Sequence, residues 1–137
     1  MHSKLHFILI LITSCTYLSC KKPKADPHIP PDVVFKTDAG YTFSDKTVGR
    51  KDSLLVGIIA TKTEDDLKSY NVSCYYDGST SGSTFFDYRM TDSEKTGYSK
   101  DIKIGSRNQD GSERWVFSVV DRDGNITQKT IVLTVKQ

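Results

Sequence analysis

Residues 111–135 read GSERWVFSVVDRDGNITQKTIVLTV, and this stretch decides the fold. In RWVFSVV (114–120), Trp115, Phe117 and Val119 fall on one face, and in TIVLTV (130–135) Ile131, Leu133 and Val135 do the same. Between the two runs lies DRDGNI (121–126), whose Asp-Gly pair suits a hairpin because glycine accepts positive φ without steric cost. Period-two alternation on both sides of a turn describes two half-buried antiparallel strands.

The same pattern recurs upstream. LLVGIIAT (54–61) is apolar and β-branched, and YNVSCYY (70–76) sets Tyr70, Val72, Cys74 and Tyr76 against Asn71, Ser73 and Tyr75. TFFDYRM (84–90) places Phe86, Tyr88 and Met90 together, leaving Phe85 opposite them, and DIKI (101–104) alternates. VVFK and YTFSDKTV form a first strand split at TDAG. No segment has a sustained helical period; TDSEK (91–95) is at most one turn, with Thr91 and Glu94 at capping-box spacing. Seven strands in about 100 residues predict an all-β, seven-stranded Greek-key β-sandwich over residues 33–137.

On those residues a resemblance rests. Residues 111–135 resemble the last two strands of bacterial immunoglobulin-like domains, and ATKTEDDLKSYNV (60–72) resembles their second-to-third strand crossing. The likeness covers roughly the last 80 residues. It departs from antibody-type domains in lacking a cysteine pair and in carrying the lone Trp115 on the sixth predicted strand. It implies an immunoglobulin-like surface or periplasmic module, and such a fold leaves function open.

The N-terminus reads as an export signal. Lys4 precedes an apolar run, Leu5 through Ile12, broken by His6 and shorter than the roughly 20 residues that span a bilayer. ITSC and YLSC, ending at Cys15 and Cys20, both resemble the lipobox of bacterial lipoproteins, whose cysteine is acylated and becomes the new N-terminus. SCKK followed by proline-rich polar sequence resembles the mature start of lipoproteins of the Bacteroides group, which favours Cys20, with Cys15 as the alternative. An ordinary cleaved signal with an incidental cysteine is the plainer reading. The expected organisation is a signal peptide (1–19), an acylated cysteine with a tether (20–32) that has prolines at 23, 27, 30 and 31, and one domain (33–137). The resemblance places the protein at the bacterial outer membrane, anchored through its N-terminal lipid, on an unspecified side. Cys74, alone in the domain, alternates with Val72 and Tyr76 and reads as a small core group.

The residue inventory limits the chemistry. The formal net charge of +2 argues against nucleic acid as a partner. His28, in the tether, is the only histidine after the signal, so the sandwich has no Ser-His-Asp or Cys-His site and no usual zinc shell. The expectation is a non-catalytic binding or structural module of the envelope without a cofactor, calcium being the one candidate metal; carbohydrate capture as an accessory of a glycan-uptake system, and an enzyme or inhibitor with no recognisable site, are the alternatives. In a seven-strand sandwich the connections TKTEDDLK, TDSEKTG and DRDGN share one end, where Asp65, Asp66, Asp121 and Asp123, with Glu64, Asp92 and Glu94 nearby, are candidate calcium ligands. The plainer alternative has Asp121 and Asp123 shaping a hairpin, and Lys62, Lys68 and Lys95 oppose a dense anionic site. At the opposite end, GRKD, DGSTSGS and SRNQDGS bring Arg50, Arg107, Asn108 and Gln109 forward as candidate donors to a glycan or an envelope protein, against the plainer reading of variable loops. Phe85 and Tyr75 form a candidate stacking platform for sugar. Asp52-Ser53-Leu54 resembles the short O-glycosylation motif of the same bacterial group.

Overall fold

Eight strands arise from these patterns in a computed structural model that describes residues 27–137. The predicted signal peptide, Cys15, Cys20 and the first part of the tether lie outside the described residues. The strands are β1 (Asp32–Phe35), β2 (Lys46–Val48), β3 (Ser53–Thr61), β4 (Leu67–Tyr76), β5 (Ser83–Arg89), β6 (Gly97–Gly105), β7 (Gly111–Asp121) and β8 (Ile126–Val135). They form an immunoglobulin-like sandwich in which a three-stranded sheet, β1-β3-β6, packs on a five-stranded sheet, β2-β8-β7-β4-β5.

The count is eight, not the seven expected, because the split first strand divides between the sheets. β1 runs antiparallel to β3, with Asp32 opposite Thr61, whereas β2 runs parallel to β8, with Lys46 opposite Leu133. The break at TDAG makes this possible. Gly40 takes φ 98°, and the Tyr41 amide donates to the Asp38 carbonyl at 3.2 Å, turning the chain from one sheet toward the other. Asp45 then accepts from the Val132 amide at 2.8 Å beside the short β2.

The alternating residues supply the core. Val72, Phe117, Val119, Ile131 and Leu133 of the large sheet and Ile58 of the small sheet are fully buried, and Cys74 packs among them. Among the described residues, the core runs from Val33 to Val135. Burial pushes the Cys74 thiol up to about 11, the value expected of a packing group and opposite to that of a reactive thiolate. The β7–β8 hairpin forms as its sequence dictates. Gly124 takes φ 93°, while Asp121 accepts from the Asn125 amide at 2.8 Å and from its side-chain nitrogen at 2.9 Å. Asp92–Glu94 form one 3₁₀ turn, and the Glu94 carboxylate accepts from the Thr91 amide at 2.8 Å.

Candidate functional site

Three strands cannot cover five, and the shortfall falls on β5. β5 is an edge of the large sheet, β6 is an edge of the small one, and none of the seven residues of β5 is buried. Its inward side nevertheless carries aromatic rings. Phe86 and Tyr88 lie nearly parallel at 6.3 Å, and Tyr88 stacks on Tyr98 of β6 at 5.5 Å. Tyr70 of β4 backs both Phe86 and Tyr98 at 5.8 Å. Lys100 stands 5.5 Å over the Phe86 ring, and the Tyr88 hydroxyl donates to Glu94 at 3.0 Å. That bond raises the Tyr88 pKa, while burial pushes Tyr98 up to about 12, so both rings are neutral phenols at physiological pH.

Phe85 joins this strip by a route that alternation does not reveal. The β4–β5 register slips between Val72 and Ser73: Val72 pairs with Phe86 but Ser73 pairs with Thr84, leaving Phe85 as an extra residue. A bulge of this kind re-aims a side chain. The Phe85 ring meets the buried Trp115 edge-on at 5.2 Å and stays 49% exposed. The expected opposite facing of Phe85 is therefore corrected, and with it the Phe85–Tyr75 platform. Tyr75 lies on the outer face, where the Arg114 guanidinium stacks on its ring at 4.0 Å and a Cβ on Gly82 would lie 2.6 Å from it.

The two loop ends assemble as the topology demands. At one end the Lys62 amide donates to the Thr96 carbonyl, Leu67 to Lys95, and Arg122 to Asp66, tying the three acidic connections together. The candidate calcium ligands are brought to this end and are engaged there by other groups. Asp65 pairs with Arg122, Asp66 with Lys62 at 2.7 Å, Asp123 with Arg122 at 3.0 Å, and Asp121 holds the hairpin. Among the described residues no three His, Cys, Asp or Glu side chains gather as a metal-binding group. The predicted spacer also reaches this end: Thr63 donates to the carbonyls of Ile29 and Pro30, and Thr127 to that of Pro31.

At the other end, Arg107 is the centre of a network. Its guanidinium forks onto Asp77 at 2.7 and 2.5 Å and lies 5.2 Å over the Tyr76 ring. Those bonds, with one from the Ser112 amide, hold the Asp77 carboxyl down at about 2. Beneath it sits Glu113, fully buried, accepting from the Arg107 amide at 2.8 Å and from the Trp115 indole at 3.1 Å. Arg50 pairs with Asp110 at 2.8 Å. Of the four candidate donors, two are thus committed internally, and Asn108 and Gln109 stand exposed at the loop tip. Sequence reasoning missed Glu113, although it shares the inward parity of Trp115 two residues on. Ser53 of the glycosylation-like motif is exposed at the start of β3.

No family model and no curated protein matches this chain. Solved structures match by shape. A chitin binding domain from Burkholderia pseudomallei superposes with a TM-score of 0.52 at 9% identity, over 69% of this chain and 58% of that one. A family 123 glycoside hydrolase from Clostridium perfringens gives 0.51 at 7% identity, over 78% of this chain and 27% of that one. Murine CRIg gives 0.39 at 14% identity, over 78% and 98%. The chain spans little more than half the length of the first of these structures and about a quarter of the second. What the first two share with this chain is the β-sandwich fold.

Proposed function

We propose that this chain is a lipid-anchored protein of a bacterial outer membrane whose immunoglobulin-like domain is a non-catalytic binding module, with the inward side of β5 as its contact surface. One observation carries the binding role: Phe86 and Tyr88 pack against the core but are only half-covered by the smaller sheet, through Tyr98 and Lys100 of β6, and Phe85 beside them stays exposed. A partner that covers these rings removes apolar surface from water at roughly 25 cal/mol per Å². The rings are already held by Trp115, Tyr70 and Tyr98, so little side-chain freedom is lost on binding.

A glycan is the ligand class that the strip favours. Sugar rings stack on exposed aromatic faces, Phe85 is fixed by its edge contact with Trp115, and Glu94 and Lys100 border the rings with polar groups. One structural neighbour is a chitin-binding domain. Anchorage rests on the Cys20 motif, with Cys15 as the alternative; among the described residues no helix is long and apolar enough to cross a membrane.

Probing a glycan array with the chain, beside its Phe85→Ala variant, tests the surface. Hits that weaken about ten-fold in the variant support it. Hits unaffected by Phe85→Ala, or the absence of hits alongside protein partners captured through another face, would reject it. Membrane fractionation of Cys20→Ala tests the anchor, since continued retention in the membrane fraction would remove Cys20 from that role.

A further inference from the structure

The end bounded by residues 62–66, 90–96 and 122–125 holds a cavity of about 250 Å³. Its floor is apolar, formed by the buried Leu67 and Met90. Its rim carries four cations, Lys68, Arg89, Lys95 and Arg122, and one carboxylate, Asp66. Four of the carboxylates around it are held by cations, Asp66 by Lys62, Asp92 by Lys95 at 2.6 Å, and Asp65 and Asp123 by Arg122, while Glu64 and Glu94 make no ion pair among the described residues. Lys68 and Arg89 remain. Both are exposed, and neither makes an ion pair among the described residues. The same two side chains also border a second depression beside Ser69, Asp87 and Tyr88, so they stand between two hollows.

The walls are set by backbone, not by flexible side chains. The Leu67 amide donates to the Lys95 carbonyl at 2.8 Å, Met90 to Lys68 at 3.0 Å, and Arg122 to Asp66 at 2.8 Å.

We infer that this cavity binds one compact oxyanion, a carboxylate, sulfate or phosphate. The Arg89 guanidinium supplies a planar fork matched to two oxygens, and Lys68 supplies a point charge beside it. The volume lies below the roughly 300–1,000 Å³ of drug-sized pockets, which limits the occupant to a free ion or the acidic ring of one sugar. The cation-rich rim opposes calcium at this position. None of Phe85, Phe86 and Tyr88 lines this cavity, so its occupancy is tested apart from the aromatic strip.

The chain from residue 20, carrying Cys20→Ala to prevent acylation, retains every core residue among those described and serves for the test. Backbone amide shifts are followed while sodium sulfate, sodium phosphate, galacturonate or glucose is added at fixed ionic strength set with sodium chloride. Saturable shifts at residues 66–68, 89, 90, 95 and 122 with an oxyanion, and none with glucose, are expected. The tightest of the three oxyanions distinguishes a free inorganic ion from an acidic saccharide. Arg89→Gln should weaken binding about ten-fold, as loss of a charged hydrogen-bond donor does. Lys46→Gln, an exposed charge on β2, and Phe85→Ala should leave it unchanged. Linear, unsaturable shifts, an equal response to glucose, wild-type binding by Arg89→Gln with Lys68→Gln, or an equal loss in Lys46→Gln would each overturn the inference. Loss of glycan binding in Phe85→Ala with oxyanion binding intact would leave both readings standing.

Discussion

Removing the Glu113 carboxylate should be among the most damaging single changes in this domain. The side chain is fully buried, and its two oxygens serve two donors, the Arg107 amide at 2.8 Å and the Trp115 indole at 3.1 Å. A cationic group, the Arg107 Nε, stands 3.9 Å away. Glu113→Ala orphans both donors and leaves Arg107 without its buried counter-charge. A hydrogen bond to a charged group contributes about 1.5–3 kcal/mol, and breaking a buried pair from one side costs about 3–5 kcal/mol, so a loss of about 4 kcal/mol is expected. Glu113→Gln keeps one acceptor oxygen and turns an amide group toward the other donor, which should cost about 2 kcal/mol. Trp115 is the only tryptophan of the chain and touches the altered group, so its fluorescence reports unfolding directly. With a urea m-value of about 2 kcal/mol/M, the midpoint should fall by about 2 M for alanine and about 1 M for glutamine. An alanine variant within about 1 kcal/mol of the parent would refute the claim that this carboxylate holds the 106–112 loop to the core.

The Asp77–Arg107 fork makes a pH prediction. The Asp77 pKa is depressed in the folded state, so its stabilisation is complete above the ordinary value of 3.8 and is lost as pH falls through about 2; an acid titration of Asp77→Asn should lack that part of the decline. Gly111 takes φ 145°, and a Cβ there would lie 1.8 Å from the Arg107 Nη2 and 2.3 Å from Asp77; Gly111→Ala should cost about 2–3 kcal/mol in the same urea assay, and a neutral result would place the fork elsewhere. Cys74 should resist a thiol reagent in the folded protein and react on denaturation, with Cys74→Ala abolishing the slow phase; reaction at the rate of a free thiol would contradict its burial.

What the chain order determines by itself is local. Alternation in 114–120 and 130–135, the glycine at 124 and the polar breaks fix the strands, their inward faces and the β7–β8 hairpin, because side chains reverse at every residue and turns need particular φ values. Antiparallel succession from β3 to β8 also fixes which of their loops share an end, and the backbone bonds from Lys62, Leu67 and Arg122 follow that rule. The same parity pointed Glu113 inward, but its partner Arg107 lies in a loop, where no period applies. Tertiary structure alone decides the rest. Whether β5 is covered depends on how many strands face it, and the division of the first strand between sheets sets that number at three against five. The facing of Phe85 depends on a register slip opposite Val72 and Ser73, which a period of two cannot encode. The cationic rim emerges only after Lys62, Lys95 and Arg122 have chosen their carboxylates, a matter of distances between loops far apart in the chain. Composition alone reads that end as acidic, and folding leaves Lys68 and Arg89 as the cations of its cavity that pair with no carboxylate among the described residues.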